Sequence, residues 1–256
     1  MRRNLLRAAR FTILGLAAAA FLTLPARAGT QTFDRTVPLR EGGRFSIDNV
    51  NGSVEVEGWE QQAVEIHAIK VARRRASDLA LVNIEIEADP SSVSVHTRYP
   101  QGDGVEVVVQ YRVRVPYHVV LALVSTVNGN VHVRGVDATG QVRSVNGDAE
   151  VLDSAGRLSV QTTNGNVRLD LRRLDDGAPL LLSTVNGAVV LALPPGSDAD
   201  LQVRSLNGNF RSDLPLSTKS SLHALSFRAR LGAGGGVIEL RTINGGIRLV
   251  AEQPST

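Results

Sequence analysis

Beyond residue 28 the chain alternates apolar and polar residues in short runs. Val, Leu, Ile and Thr dominate the runs, which is what half-buried strands prefer. No helical period follows Ala28; "RRRASDLA" at 73–80 reads as one short turn or loop. Seven stretches share a core: "DNVNGSVEV", "STVNGNVHV", "RSVNGDAEV", "QTTNGNVRL", "STVNGAVVL", "RSLNGNFRS" and "RTINGGIRL". Their corner pairs are Asn51 and Gly52, Asn128 and Gly129, Asn146 and Gly147, Asn164 and Gly165, Asn186 and Gly187, Asn207 and Gly208, and Asn244 and Gly245. The Asn spacings are 77, 18, 18, 22, 21 and 37, so the middle block repeats with a period near 20. Such a period points to a stacked array. Unit 128–146 holds strand "NVHVRGV", turn "DATG", strand "QVRSV" and the next Asn-Gly.

Alignment on the Asn sharpens the pattern. Four residues before it every copy is apolar: Ile47, Val124, Val142, Val160, Leu182, Val203 and Leu240. Two before it stand Asn49, Thr126, Ser144, Thr162, Thr184, Ser205 and Thr242. The residue just before is mostly apolar again, and so is the second after the Gly. The apolar phase therefore slips just before the Asn, as at a corner or bulge. Asn-Gly is also the strongest two-residue hairpin signal, so an antiparallel meander fits locally. A hairpin, however, asks only for Asn-Gly. Fixed Ser/Thr and Val offsets fit a parallel β-solenoid better, in which each coil stacks on the next at ~4.8 Å and like residues touch. The expectation is an all-β chain: a parallel solenoid, β-helix-like, with two strands per coil of 18–22 residues. Asn would form one ladder and Ser/Thr a second. Apolar residues would fill the core, and Gly would supply the corner conformation.

The flanks read differently. Residues 29–120 are expected to be an N-terminal β region holding one early motif copy. Its runs "AVEIHAIKV", "LVNIEIEA", "SSVSVHTRY" and "VEVVVQYRVRV" read as antiparallel pairs. Residues 121–250 form the repeat region. Within it, "SDLPLSTKSSLHALSFRARLGAGGG" spans roughly one extra coil and a Gly-rich loop. Residues 251–256 read as a disordered tail. At the start, "MRRNLLRAAR", the apolar run Phe11 to Leu24 and the small residues Ala26 and Ala28 make a secretory signal peptide over 1–28. The run is short of the ~20 residues that span a bilayer.

Removing its five arginines takes the formal charge from +3 to −2, which withdraws support for nucleic acid as a partner. The chain has no Cys, so an exported form carries neither disulfide nor lipidated Cys. Periplasm or cell surface is the expected location.

The segment "YRVRVP", the strand–Asn-Gly–strand units after it and the closing "GGGVIELRTINGGIRL" resemble the bacterial putative-adhesin, or toastrack, family over about residues 31–250. The resemblance implies a β-solenoid of parallel sheets in the envelope or at the cell surface. It implies no catalytic motif and no cofactor.

Enzyme signatures are absent: no nucleophile elbow, no His-Glu-x-x-His, no phosphate loop. His67, His96, His118, His132 and His223 are unpaired in sequence and read as surface strand residues. The alternative to a binding or structural module is a carbohydrate-active β-helix enzyme, a polysaccharide lyase or hydrolase. Its acids would come from Asp148, Asp153, Asp170, Asp175 and Asp176. A membrane barrel would need strands of ~10 residues and aromatic girdles, and aromatics are 4% here. One outward pattern suggests a ligand. Arg143, Arg204 and Arg241 lie three before the Asn; His132, Arg168, Arg211 and Arg248 lie three after the Gly. Stacking would align them into basic stripes for an envelope polymer, lipid headgroups or an envelope protein. Glu55 and Glu150 share the second column and argue for a solvated face instead.

Overall fold

The computed structural model describes residues 29–102, 104–175, 179–218 and 226–252. The expected signal peptide, Asp176, His223 and residues 253–256 of the tail lie outside them. The described residues are all-β apart from a 3-10 turn at Ala76–Leu81, inside the stretch read as a short turn. Twenty strands join in one hydrogen-bonded network of mixed direction.

Across the Asn-Gly corners the pairing is parallel, copy to copy. Val142 is registered with Val124 on one side and Val160 on the other. Ser144 faces Thr126, and Asn146 faces Asn128. An antiparallel hairpin would have set Ser144 opposite Ala149, so the meander is excluded.

Two runs of strands result, meeting at the Asn corners. The approach run leads into the Asn: Arg44–Asp48, His118–Asn128, Asp137–Asn146, the second half of Ala149–Gln161, Leu180–Ser183, Val237–Asn244 and Ala199–Asn207. The exit run leaves the Gly: Val54–Trp59, Val131–Arg134, the first half of Ala149–Gln161, Val167–Arg173, Val189–Leu193, Ile247–Ala251 and Phe210–Ser212. Ala149–Gln161 belongs to both because it turns the opposite corner within one strand. Its register shifts between Val151 and Ser154, and Asp153 takes φ 48° there. Asp is one of the few residues that tolerates this region.

The spatial order differs from the sequence order. Asn186 bridges Asn244, not Asn207, and Asn207 lies beyond Asn244. After the sixth copy the chain makes Ser226–Leu231, which runs antiparallel on Ala199–Asn207, and then returns to insert the seventh copy between the fifth and the sixth. The stretch read as an extra coil thus contributes an antiparallel edge, with Leu216–Ser217 outside it.

At the other end the pairing is also mixed. Thr30–Pro38 pairs antiparallel with Ala63–Ala72, which pairs antiparallel with Val107–Pro116. Val107–Pro116 and Ser92–Arg98, expected to be purely antiparallel, each have a parallel neighbour as well: Val54–Trp59 and Arg44–Asp48. They extend the parallel pairing past the first motif copy without an Asn-Gly of their own. Ala251 ends a strand and the Glu252 N–H donates to the Leu193 carbonyl at 2.8 Å, so the first two residues of the expected tail are part of the fold.

The core lies between the runs. From the approach side come Ile47, Val124, Val142, Val160, Leu182, Leu240 and Val203; from the exit side Val54, Val131, Ala149, Val167, Val189 and Ile247, none more than 1% exposed. Burial of each Val, Leu or Ile contributes about 1.5–3 kcal/mol.

Candidate functional site at the asparagine corner

The corner is built from three side-chain columns, and the apolar column just before the Asn does not enter the core as expected. The Ser/Thr column points inward: Thr126, Ser144, Thr162, Thr184, Ser205 and Thr242 are all buried. The column just before the Asn points outward: Val127, Val145, Ile243 and Leu206 are exposed. The period-two alternation therefore continues through the Ser/Thr and breaks at the Asn-Gly itself, not one residue earlier.

The reason is a carbonyl. Each buried hydroxyl donates to the Gly carbonyl of the neighbouring copy: Thr126 to Gly52 at 2.9 Å, Ser144 to Gly129 at 2.8 Å, Thr162 to Gly147 at 2.7 Å, Thr184 to Gly165 at 2.8 Å, Thr242 to Gly187 at 3.0 Å and Ser205 to Gly245 at 3.3 Å. No second ladder forms among the hydroxyls; they satisfy backbone that the corner would otherwise leave unpaired. In the first copy the neighbouring coil lacks Asn-Gly, and an amide replaces the hydroxyl. Asn49 Nδ2 spans the Gly52 carbonyl at 3.1 Å and the Val109 carbonyl at 2.9 Å.

The Asn side chains form the expected ladder, but at the surface. Asn128 Nδ2 donates to Asn51 Oδ1, Asn146 to Asn128, Asn164 to Asn146, Asn186 to Asn164, Asn244 to Asn186 and Asn207 to Asn244, all at 2.7–2.9 Å. A short second ladder runs beside it. Asn130 Oδ1 accepts the Asp148 N–H at 2.9 Å, Asp148 Oδ1 the Asn166 N–H at 2.6 Å, and Asn166 Oδ1 the Ala188 N–H at 3.0 Å.

These geometries rank two substitutions. Asn146→Ala removes two exposed side-chain bonds and should cost about 1 kcal/mol. Thr162→Val leaves the Gly147 carbonyl without its buried donor and should cost more, about 1–3 kcal/mol. Urea unfolding midpoints of the two variants test the order; a larger loss for Asn146→Ala would mean that the exposed ladder, not the buried hydroxyl, holds the corner.

The basic stripes are not continuous. On the approach side the column reads Asp48, Ser125, Arg143, Gln161, Ser183, Arg241, Arg204. On the exit side it reads Arg112, Glu55, His132, Glu150, Arg168, Val190, Arg248, Arg211. The structure brings Arg204 beside Arg241 and Arg211 beside Arg248, and leaves Arg143 and Arg168 apart from them. Arg168 is held by Asp170 at 2.8 Å, and that hydrogen bond raises its already high pKa.

The enzyme candidates do not gather into one site, though Asp153 and Asp170 share a neighbourhood with Glu252. Asp148 serves the second ladder. Asp153 pairs with Arg172 at 3.0 Å, Asp170 with Arg168, and Asp175 with Arg173 at 2.7 Å. One acid escaped the sequence reading. Glu252 lies near Asp170 and Asp153, and burial, followed by the repulsion of those two carboxylates, pushes its carboxyl up. Its position in the apparent tail concealed it.

A concavity of about 700 Å³ over the exit face is lined by side chains already paired with one another. Arg112 holds Glu55 at 3.1 Å, Arg114 holds Glu65 at 2.6 Å, and His132 faces Glu150 at 3.1 Å. His118 lies 3.6 Å from both Glu41 and Asp137, and His67 meets Asp34 at 2.5 Å. Among the described residues no His/Asp/Glu group has the arrangement of a metal site, and no helix is long and apolar enough to cross a membrane.

No protein-family model matches the chain, and no curated protein matches it in sequence. Solved structures do match. A putative adhesin from Bacteroides fragilis is 11% identical, with 87% of this chain and 97% of that one covered, at a TM-score of 0.32. A putative lipid binding protein from Parabacteroides distasonis is 10% identical over 87% and 97%, at a TM-score of 0.34. A putative cell adhesion protein from Clostridium sporogenes is 9% identical and covers 87% of this chain and 100% of its own, at a TM-score of 0.51. With that clostridial protein, this chain shares its fold.

Proposed function

We propose that this chain is an exported envelope module of the putative-adhesin type, a β-solenoid that presents a rigid surface for binding. The observation that carries the reading is the corner face. Six Asn–Asn side-chain bonds and a buried hydroxyl staple under nearly every copy fix an exposed surface about six strand spacings long, roughly 30 Å. Such a surface costs little ordering on binding, because its side chains are already held. The parallel copy-to-copy register supports the solenoid description. The reading of 1–28 as a cleaved leader places the module in the periplasm or on the cell surface.

The carbohydrate-active alternative is the weaker reading. A glycosidase needs two carboxyls facing one scissile bond, with a raised pKa on the acid. Here Asp153, Asp170 and Asp175 are each tied to an arginine, which leaves Glu252, its pKa raised by burial beside Asp170 and Asp153, without a free carboxylate partner among these candidates.

Two measurements test the proposal. Protein recovered from the envelope of an expressing bacterium should start at Gly29 by mass spectrometry; an intact Met1 removes the export step. Incubation with envelope and capsular polysaccharides should release no new reducing or unsaturated ends. Release that is lost in an Asp170→Asn variant would establish the enzyme instead.

A further inference from the structure

We propose that the far end of the corner face, where the seventh copy lies beside the sixth, docks on the surface of an anionic lipid bilayer. This rests on the reading as an exported binding module and names its partner. Leu206 and Ile243 stand next to each other, set by the pairing of Ser205 with Thr242 and of Asn207 with Asn244. They are 56% and 43% exposed, more than the valines Val127 and Val145 of the same ridge. On the approach side Arg204 lies beside Arg241; on the exit side Arg211 lies beside Arg248. Two branched apolar side chains are thus framed by two pairs of arginines.

The charge pattern here departs from the rest of the face in its paired arginines, since the second and fourth corners, residues 125–132 and 161–168, also lack Asp and Glu. Residues 183–190, 241–248 and 204–211, the last three corners in space, contain no Asp or Glu. The first and third corners carry Asp48 and Glu55, and Asp148 and Glu150. Elsewhere neighbouring strands set opposite charges together, as in Arg112 with Glu55. Like charges directly opposite each other are destabilising in a sheet. Arg211 and Arg248 nevertheless face each other, and neither has an ion pair among the described residues. Arg204 also lacks one there, while Arg241 is paired only with Glu239.

An anionic surface relieves both repulsions. The apolar pair selects among anionic surfaces. A soluble polyanion would engage the arginines and leave Leu206 and Ile243 in water. A bilayer accepts them at the acyl boundary while its phosphates meet the arginines on either side, which is how interfacial segments bind.

The chain has no Cys, so one introduced thiol is unique. Leu206→Cys in the full chain, labelled with an environment-sensitive nitrobenzoxadiazole dye, should shift to the blue on vesicles containing phosphatidylglycerol. It should not shift on phosphatidylcholine alone. Adding Arg211→Gln and Arg248→Gln should weaken the response about thirtyfold, at roughly 1 kcal/mol per arginine. Val127→Cys, labelled at the other end of the same ridge, should not respond. That site also controls for lipid contact made by residues 11–24. Both positions are exposed, and a thermal melt checks that each labelled chain keeps its fold. A silent label at 206, or equal shifts at 206 and 127, would overturn the proposal. So would dextran sulfate binding as tightly as the vesicles, with the dye unshifted. Any of these together with Gly29 as the N-terminus removes the bilayer and leaves the exported module standing.

Discussion

Gly147→Val should abolish cooperative folding of the chain at ordinary temperatures. A Cβ at this position would lie 2.1 Å from the Gly129 carbonyl oxygen and 2.5 Å from its carbon. Gly147 also holds φ 153°, within the region that disfavours side chains. Neither neighbour can yield. The Gly129 N–H is bonded to the Asn146 carbonyl at 3.0 Å and the Gly147 N–H to the Asn164 carbonyl at 2.9 Å, so the spacing is clamped on both sides. Opening the corner would also release the Ser144 and Thr162 hydroxyls from their buried acceptors, at about 1–3 kcal/mol each. With strain and lost packing the total reaches about 4 kcal/mol or more, a large share of the 5–15 kcal/mol typical of a domain. Far-ultraviolet circular dichroism on heating reads the outcome. Thr163→Val, one column away and exposed, should melt like the parent. Unchanged melting of Gly147→Val would show that the coils are not held at this distance in solution. The same carbonyl contact recurs at Gly187, where a Cβ would come within 1.9 Å of the Gly165 oxygen, so the requirement belongs to the stack and not to one turn.

A chain ended at Gly236 should lose far more than its last repeat. If the seventh copy were terminal, its removal would expose one new edge and leave the rest intact, as in repeat arrays. It is not terminal. Val237–Asn244 pairs with Leu180–Ser183 on one side and Ala199–Asn207 on the other, and Ile247–Ala251 lies between Val189–Leu193 and Phe210–Ser212. Truncation therefore strips two strands from the interior and orphans the sixth copy. Ile238, Leu240, Ile247 and Leu249, each at most 1% exposed, go with them. At about 1.5–3 kcal/mol apiece their burial alone amounts to about 6–12 kcal/mol. The expected result is protease sensitivity over residues 180–236 and a broad, early melt. A sharp transition close to that of the full chain would place the seventh copy at the end of the stack after all.

The sequence by itself determined the repeat, the all-β class and the existence of a stacked Asn ladder. It could do so because a stack makes each column repeat its own chemistry, and Ile47 through Leu240, or Asn51 through Asn244, display that repetition without coordinates. What the sequence obscured was which column faces inward. Hydrophobicity assigns Val127 and Val145 to the core and does not say which way Thr126 and Ser144 face; the structure exposes the valines and buries the hydroxyls. The deciding interaction is a hydrogen bond to a Gly carbonyl on another coil, which no local pattern encodes.

The order of the stack was equally hidden. Spacings of 21 and 37 after Asn186 suggest simple succession, whereas the seventh copy inserts before the sixth. Parallel edges offer the same backbone bonds to any strand of the right pattern. Only the packing of Ser226–Leu231 antiparallel on Ala199–Asn207 closes one side of the sixth copy and leaves the other side for the returning chain. That choice sets Arg241 beside Arg204 and Arg248 beside Arg211. The residues of the far corner were legible one by one in the sequence; their meeting was decided by a tertiary insertion that joins strands far apart in the chain.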